Sequence, residues 1–206
     1  MRADVPKQFL LLNGKPILMH TIEAFDRYSS DLTKIIVLPE AEISHWNELC
    51  AEFSFSSAHT VVQGGETRFQ SVKNGLAEVN SPGLVAIHDG VRPLVSTDII
   101  GASFRLAAIH KSAIASVRLK ESLRVIDQDT TQAVDRSMYR MIQTPQTFDV
   151  DLIKSSYDIR EEKYLTDDAS VAEKAGNKIS LFEGSYDNIK ITTPEDLPIA
   201  EALLAK

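Results

Sequence analysis

From residue 34 onward the chain repeats one pattern: a short apolar, β-branched run, a turn, and then a segment with helical period. Residues 34–38 read as a buried strand, and beyond Pro39 the apolar residues Ile43, Trp46, Leu49, Cys50 and Phe53 fall on one helical stripe. Thr60-Val61-Val62-Gln63 is the next strand. Behind it Phe69, Val72, Leu76 and Val79 recur at three- and four-residue steps, which predicts a second helix. Residues 84–87 and 113–117 give two further strands. The helix between them carries Ile99, Ile100, Phe104 and Ala107 and has capping side chains at Ser96-Thr97-Asp98. Each crossover returns the chain to the same end of the sheet, so the alternation predicts an α/β fold with mostly parallel pairing.

At residue 118 the register changes. Residues 118–148 read as two or three short extended pieces, polar and charged, with no helix between them, and so predict a projecting arm. Globular patterning then returns, with helices at 149–157 and 167–175, the latter closed by Gly176, and strands at 179–182 and 189–191. Thr193-Pro194-Glu195-Asp196 reads as a helix start with an N-cap hydroxyl and a proline in the first turn. At 206 residues the chain suits a single domain, 1–206, with the arm appended. No run approaches 18 apolar residues, so a bilayer span is not expected. A net charge of −7 disfavours polymeric nucleic acid as a partner. Cys50 is the only cysteine, which excludes an internal disulfide and a cysteine-cluster metal site and fits a reducing cytoplasm. No secretory signal opens the chain, because Met1 is followed by charge and then Pro6.

Ligands of open α/β sheets bind outside the carboxyl ends of the strands, so the residues just past each strand carry the chemistry. After 60–63 comes Gly64-Gly65-Glu66-Thr67-Arg68: the glycines admit close backbone approach, and the following helix turns its N–H groups toward an anion. A tight turn with no ligand is the alternative. Arg68, Ser71 and Gly75 share a helix face opposite the apolar stripe. After 84–87 comes His88-Asp89-Gly90-Val91-Arg92-Pro93, where Asp89 either pairs with Arg92 to stiffen the loop or binds a cation or substrate. Lys7, Arg136 and Lys190 each sit beside a turn or strand end, where together they would surround phosphate oxygens, although most lysines are solvated surface groups. The histidines His20, His45, His59, His88 and His110 lack metal-ligand spacing and read as core or surface residues. No nucleophile elbow or complete P-loop is present, which argues against covalent catalysis and ordinary NTPase chemistry.

The runs Pro6-Lys7-Gln8-Phe9-Leu10, Gly14-Lys15-Pro16-Ile17 and His20-Thr21-Ile22 resemble the start of the 2-C-methyl-D-erythritol 4-phosphate cytidylyltransferases of the non-mevalonate isoprenoid pathway. The likeness continues through Gly64–Val72, His88–Pro93, Asp135-Arg136, Gln143–Phe148, Leu165–Ser170 and Asp187–Thr192, and so covers essentially the whole chain. It implies a doubly wound, Rossmann-like nucleotidyltransferase fold with a β-arm that embraces a second subunit, hence a homodimer. The implied reaction joins CTP to 2-C-methyl-D-erythritol 4-phosphate and releases pyrophosphate, with Mg²⁺ or another divalent cation. By resemblance Lys7 neutralises the α-phosphate, and Gly65, Glu66 and Ser71 lie where the family reads cytosine. Asp89 would hold the polyol hydroxyls and sit near the metal with Arg92 beside it, while Arg136, Thr166 and Lys190 clamp the substrate phosphate with Thr144 close by. Family members begin with a strand and a glycine-rich loop ending in an arginine before a methionine. Met1 takes the place of that methionine, so the given sequence lacks this loop, and a protein without it is expected to be crippled. The alternatives are a ribitol-5-phosphate cytidylyltransferase, from which Gly90 and Thr166–Ser170 point away, and an inactive binding module of the same fold. A dehydrogenase is disfavoured because no Gly-x-Gly-x-x-Gly follows a strand.

Overall fold

A computed structural model describes residues 5–205. Met1, which the resemblance sets opposite the family's internal methionine, lies outside the described residues. Strands β1 (Leu11–Leu12) and β2 (Lys15–Pro16) form a small antiparallel hairpin. Its turn is Asn13-Gly14, both at positive φ (47° and 76°), the backbone that a two-residue hairpin turn demands and that Asn and Gly tolerate. Then follow α1 (Ile17–Tyr28), β3 (Ile35–Leu38), α2 (Glu40–Glu52), β4 (Thr60–Gln63), α3 (Arg68–Ala77), β5 (Leu84–Ile87), α4 (Thr97–His110) and β6 (Ser112–Arg118). The arm holds β7 (Leu123–Asp127) and β8 (Thr130–Val134). After it come β9 (Arg140–Asp149), α5 (Val150–Ser156), α6 (Asp168–Lys174), β10 (Leu181–Glu183) and α7 (Asp196–Leu204).

The expected crossovers pair β3 with β4 and β6 with β10 in parallel. The sheet is nevertheless mixed, in the order β10-β6-β9-β5, because β9 runs antiparallel to both β5 and β6 and separates them. The cause is the route of the chain. β9 re-enters from a hairpin and not from a crossover helix, so it runs the other way. Its second half, residues 143–148, is buried in the sheet although the sequence placed it with the arm. The excursion beyond the core is the β7–β8 hairpin, most of whose residues are exposed.

The α2 stripe packs as its spacing predicts: Trp46 and Leu49 are buried with Phe9, Leu18, Met19, Ile22 and Leu38, and Ile43, Cys50 and Phe53 close the cluster. Residues 189–191 form no strand. Ile191 is buried beside Leu12, Ile17 and Ala200, and its N–H goes to the Val91 carbonyl (2.9 Å), so the apolar alternation reports burial without a ladder. Helix α7 begins at Asp196, later than the Thr193 start. The Asp196 carboxylate accepts from the Thr192 and Thr193 N–H groups (2.7 and 2.8 Å), and these bonds hold its pKa below the usual carboxylate value. Gly75 does not share the ligand face of α3. A Cβ there would lie 2.8 Å from Val37 Cγ2, so this glycine lets α3 approach β3.

Candidate active site

A cleft of about 600 Å³ opens beyond the carboxyl end of β5, and Arg68, Asp89, Arg92, Thr144, Thr166 and Lys190 line it. Its floor is the loop after β5. Asp89 Oδ2 accepts from Arg92 Nε (3.1 Å) and pairs with Lys190 Nζ (3.2 Å). The Asp89–Arg92 pair offered as one alternative therefore forms, and it forms inside the cleft. Burial pushes the Asp89 carboxyl up, but the Lys190 and Arg92 charges outweigh it and hold the pKa below its ordinary 3.8. The stabilisation from this pair is present above that ordinary value and is lost as pH falls through the lowered one. Arg92, itself buried, donates through Nη1 to the Asn188 carbonyl (2.8 Å).

Thr144 on β9 joins this loop to the sheet. Its Oγ1 accepts the Asp89 N–H (3.1 Å) and contacts His88 Nδ1 (3.0 Å), and its carbonyl accepts from Asn188 Nδ2 (2.8 Å). Burial pushes the His88 pKa down to about 4. The ring is therefore neutral at physiological pH.

The other wall is the start of α6. Asp167 caps it by accepting from the Ser170 N–H (2.9 Å), and the Ser170 side chain closes the reciprocal half of a capping box. Gln146 on β9 donates to Asp167 Oδ2 (2.9 Å) and accepts the Ala169 N–H (2.8 Å), which places Thr166 at the rim. Behind it Asp168, with no exposed surface, receives Arg68 in a two-pronged pair (2.9 and 2.6 Å) and the Tyr157 hydroxyl (2.6 Å). Burial alone would lower the Arg68 guanidinium's pKa, but the Asp168 carboxylate overrides it and raises it. Burial, with Asp168 alongside, pushes the Tyr157 phenol up. This strut ties the first residue of α3 to the first of α6.

The loop after β4 is closed on itself. The Gly65 N–H donates to Ser71 Oγ (3.1 Å), the Glu66 N–H to Gln70 Oε1 (3.0 Å), and Thr67 Oγ1 caps the Gln70 N–H (3.2 Å). A Cβ on Gly65 would lie 2.3 Å from Gln70 Cβ, so only glycine fits. One of the helix N–H groups expected to face an anion, that of Gln70, thus already has a side-chain partner, as do the Gly65 and Glu66 N–H groups before the helix.

The structure brings Asp89, Arg92, Thr144, Thr166 and Lys190 together, while the expected Gly65, Glu66 and Ser71 of the loop after β4, and Lys7 and Arg136, are not among the residues that line the cleft. Lys7 is exposed on a one-turn helix, Lys7–Phe9, anchored by Phe9 stacking on Trp46 at 6.0 Å. Arg136 is exposed on a one-turn helix at the foot of the arm and donates to the Lys120 carbonyl. Sequence reasoning gave no role to His88, Asp168, Tyr157 or Gln146. A signal was available for Gln146, since Gln143, Thr144, Gln146 and Thr147 put polar groups into what is a core strand.

The mixed α/β fold is that of the Rossmann-like nucleotidyltransferases. The family model for 2-C-methyl-D-erythritol 4-phosphate cytidylyltransferase (IspD) matches residues 1–206. Proteins of that name from Bacteroides thetaiotaomicron and Porphyromonas gingivalis are 50% and 49% identical, over 99% of this chain in both cases and 93% and 91% of theirs. The 4-diphosphocytidyl-2C-methyl-D-erythritol synthase structure from Anaerococcus prevotii superposes with a TM-score of 0.85 at 28% identity, covering 95% of this chain and 88% of that one. The Thermus thermophilus cytidylyltransferase gives 0.81 at 28%, covering 98% and 94%. The chain belongs to the 2-C-methyl-D-erythritol 4-phosphate cytidylyltransferase family. Among the described residues no helix is long and apolar enough to cross a membrane.

Proposed function

We propose that the chain transfers the cytidylyl group of CTP to 2-C-methyl-D-erythritol 4-phosphate, giving 4-diphosphocytidyl-2-C-methyl-D-erythritol and pyrophosphate. The observation that carries this reading is Asp89 held between Arg92 and Lys190 in the cleft rimmed by Thr144 and Thr166. A carboxylate accepts from polyol hydroxyls, and the cations beside it receive the phosphate. A substrate phosphate oxygen attacks the α-phosphorus in line, and the bond to pyrophosphate breaks. That phosphate's second pKa is about 6, so at neutral pH it attacks without a general base. The protein's work is then positioning and charge neutralisation. Lys7 meets charge at the α-phosphate, Gly65, Glu66 and Ser71 read the cytosine, and Arg92, Thr144, Thr166 and Lys190 hold the polyol phosphate.

Both cations of the Asp89 cluster sit on Oδ2, so Oδ1 is the oxygen offered to a metal. A single carboxylate suits Mg²⁺ that arrives on a triphosphate better than a standing metal cage, and the described residues hold no cluster of three or more metal-ligating side chains. Such an ion would supply further neutralisation of phosphate charge. The setting that fits a lone cysteine is the cytoplasm.

Arg136 points to a homodimer. It lies outside its own chain's cleft beside a hairpin that exposes Val125 and Ile126, with Met138, Tyr139 and Met141 exposed nearby. A second subunit would cover that apolar surface and take Arg136 to its site. Arg136→Ala is expected to raise KM for the polyol phosphate at least about tenfold, the loss of one charge-assisted contact. Its KM for CTP should stay within about twofold. A selective rise in the CTP KM contradicts the assignment.

The test of the function is pyrophosphate release with CTP, Mg²⁺ and 2-C-methyl-D-erythritol 4-phosphate. It is run on this chain and on a form extended at its N-terminus by the family's glycine-rich loop. Release in the extended form supports the reading. Silence in both, or faster turnover of ribitol 5-phosphate, overturns it.

A further inference from the structure

Two groups of the cleft floor, the Thr144 hydroxyl and the Arg92 carbonyl, meet one imidazole, and the Asp89 N–H in turn bonds that hydroxyl. Thr144 Oγ1 already accepts the Asp89 N–H, so its single proton is free to point at His88 Nδ1, 3.0 Å away. The opposite nitrogen, Nε2, lies 3.2 Å from the Arg92 carbonyl oxygen, which can only accept. For a ring with a single proton, one pattern satisfies all three contacts: His88 carries hydrogen on Nε2 and a lone pair on Nδ1. The ring also stands edge-on to Phe25 of α1, with centroids 5.1 Å apart, which fixes its plane. The charged groups that face it are Asp89 and Arg92, the pair the loop displays to the cleft.

We propose that His88 is a positioning residue whose imidazole accepts from Thr144 through Nδ1 and donates to the Arg92 carbonyl through Nε2. It thereby closes the 88–92 loop on β9 and holds Asp89, Arg92 and Thr144 at the spacing the polyol phosphate requires. The proposal rests on the function given above. The ring touches no substrate itself. It acts through the two ends of its loop, where a shift of an ångström at Asp89 would weaken a multidentate contact. Among the described residues no hydrogen bond or ring contact links the loop after β4 or the Arg68 strut to the ring, so CTP handling should be spared.

The experiment has two independent arms. Long-range ¹H–¹⁵N spectra of the unmodified protein at pH 7 should show His88 protonated at Nε2 and unprotonated at Nδ1. The opposite tautomer, or a doubly protonated ring, overturns the proposal whatever the protein catalyses. In the kinetic arm, His88→Phe keeps a ring but loses both hydrogen bonds, and His88→Asn keeps an acceptor near the Nδ1 position. His88→Phe should raise KM for the polyol phosphate about tenfold, with the KM for CTP within about twofold, and His88→Asn should recover much of the loss. Equal rises in both KM values, no rise in either, or no recovery with Asn would mean that the ring is only core. Inactivity of the unmodified protein is a failure of the proposed function, and the spectra then still decide the geometry.

Discussion

Lys7→Ala is expected to lower kcat on the order of a hundredfold or more while leaving the thermal midpoint unchanged. The two halves of that expectation come from different facts. Lys7 is exposed, and the turn that carries it is fastened by its neighbour Phe9, buried against Trp46 and His45, so truncating the lysine removes no core contact. Its value is in charge. In-line transfer crowds negative oxygens around the α-phosphorus, and a cation that meets them most strongly in the transition state raises kcat more than it tightens ground-state binding. Lys7→Arg keeps the charge and should keep part of the rate, although a planar fork does not reproduce a compact ammonium. Steady-state pyrophosphate release with both substrates saturating is the measurement. An unchanged turnover number removes Lys7 from the catalytic groups.

That Lys7 stands apart from the cleft shows where sequence and geometry part company. Local signals were legible wherever a local force wrote them. The α2 stripe packs as spaced, Ser96 caps α4 by accepting the Ile99 N–H, and the Asp167–Ser170 box starts α6. Long-range pairings left no such trace. Arg68 and Asp168 are 100 residues apart, and nothing in either neighbourhood announces the other. Strand β9 was hidden for a related reason. Gln143, Thr144, Gln146 and Thr147 look like surface residues until each side chain is seen to bond a group on another segment: Ser185, Asp89, Asp167 and Ser103. Polar residues in a core strand are tolerated because they are satisfied, and satisfaction is a property of the fold. His88 escaped for the same reason. Its burial and its contact with Thr144 exist only once β9 lies beside β5. By contrast, Asp89, Arg92, Thr144, Thr166 and Lys190 were found together through resemblance, and the fold then brings them to one cleft.

The strut behind that cleft gives the largest expected loss of stability. Arg68→Leu should cost about 3 kcal/mol or more, a fall in the thermal midpoint on the order of 10 °C for a chain of this size. The cost does not come from the arginine, whose side chain keeps 38% of its surface in solvent, but from the partner it abandons. Asp168 has no exposed surface, and without Arg68 its carboxylate keeps, among the described residues, the Tyr157 hydroxyl as its one side-chain donor. A buried charge stripped of its counter-charge is the costly outcome, whereas removing both charges is often nearly neutral. Adding Asp168→Asn to Arg68→Leu should therefore recover much of the loss, because the amide is neutral and still accepts from Tyr157. Asp168→Asn alone should cost less than Arg68→Leu alone, since the orphaned guanidinium can turn to water. Urea unfolding of the three variants and the parent decides the matter. If the double variant is as unstable as the two single losses added together, the pair is not coupled and the uncompensated charge is not the cause. The same cycle bears on the site. Arg68 opens α3 just past the loop that would read cytosine, and Asp168 follows Thr166 at the rim, so a charge pair that stabilises the core also fixes the distance between the two lips of the cleft.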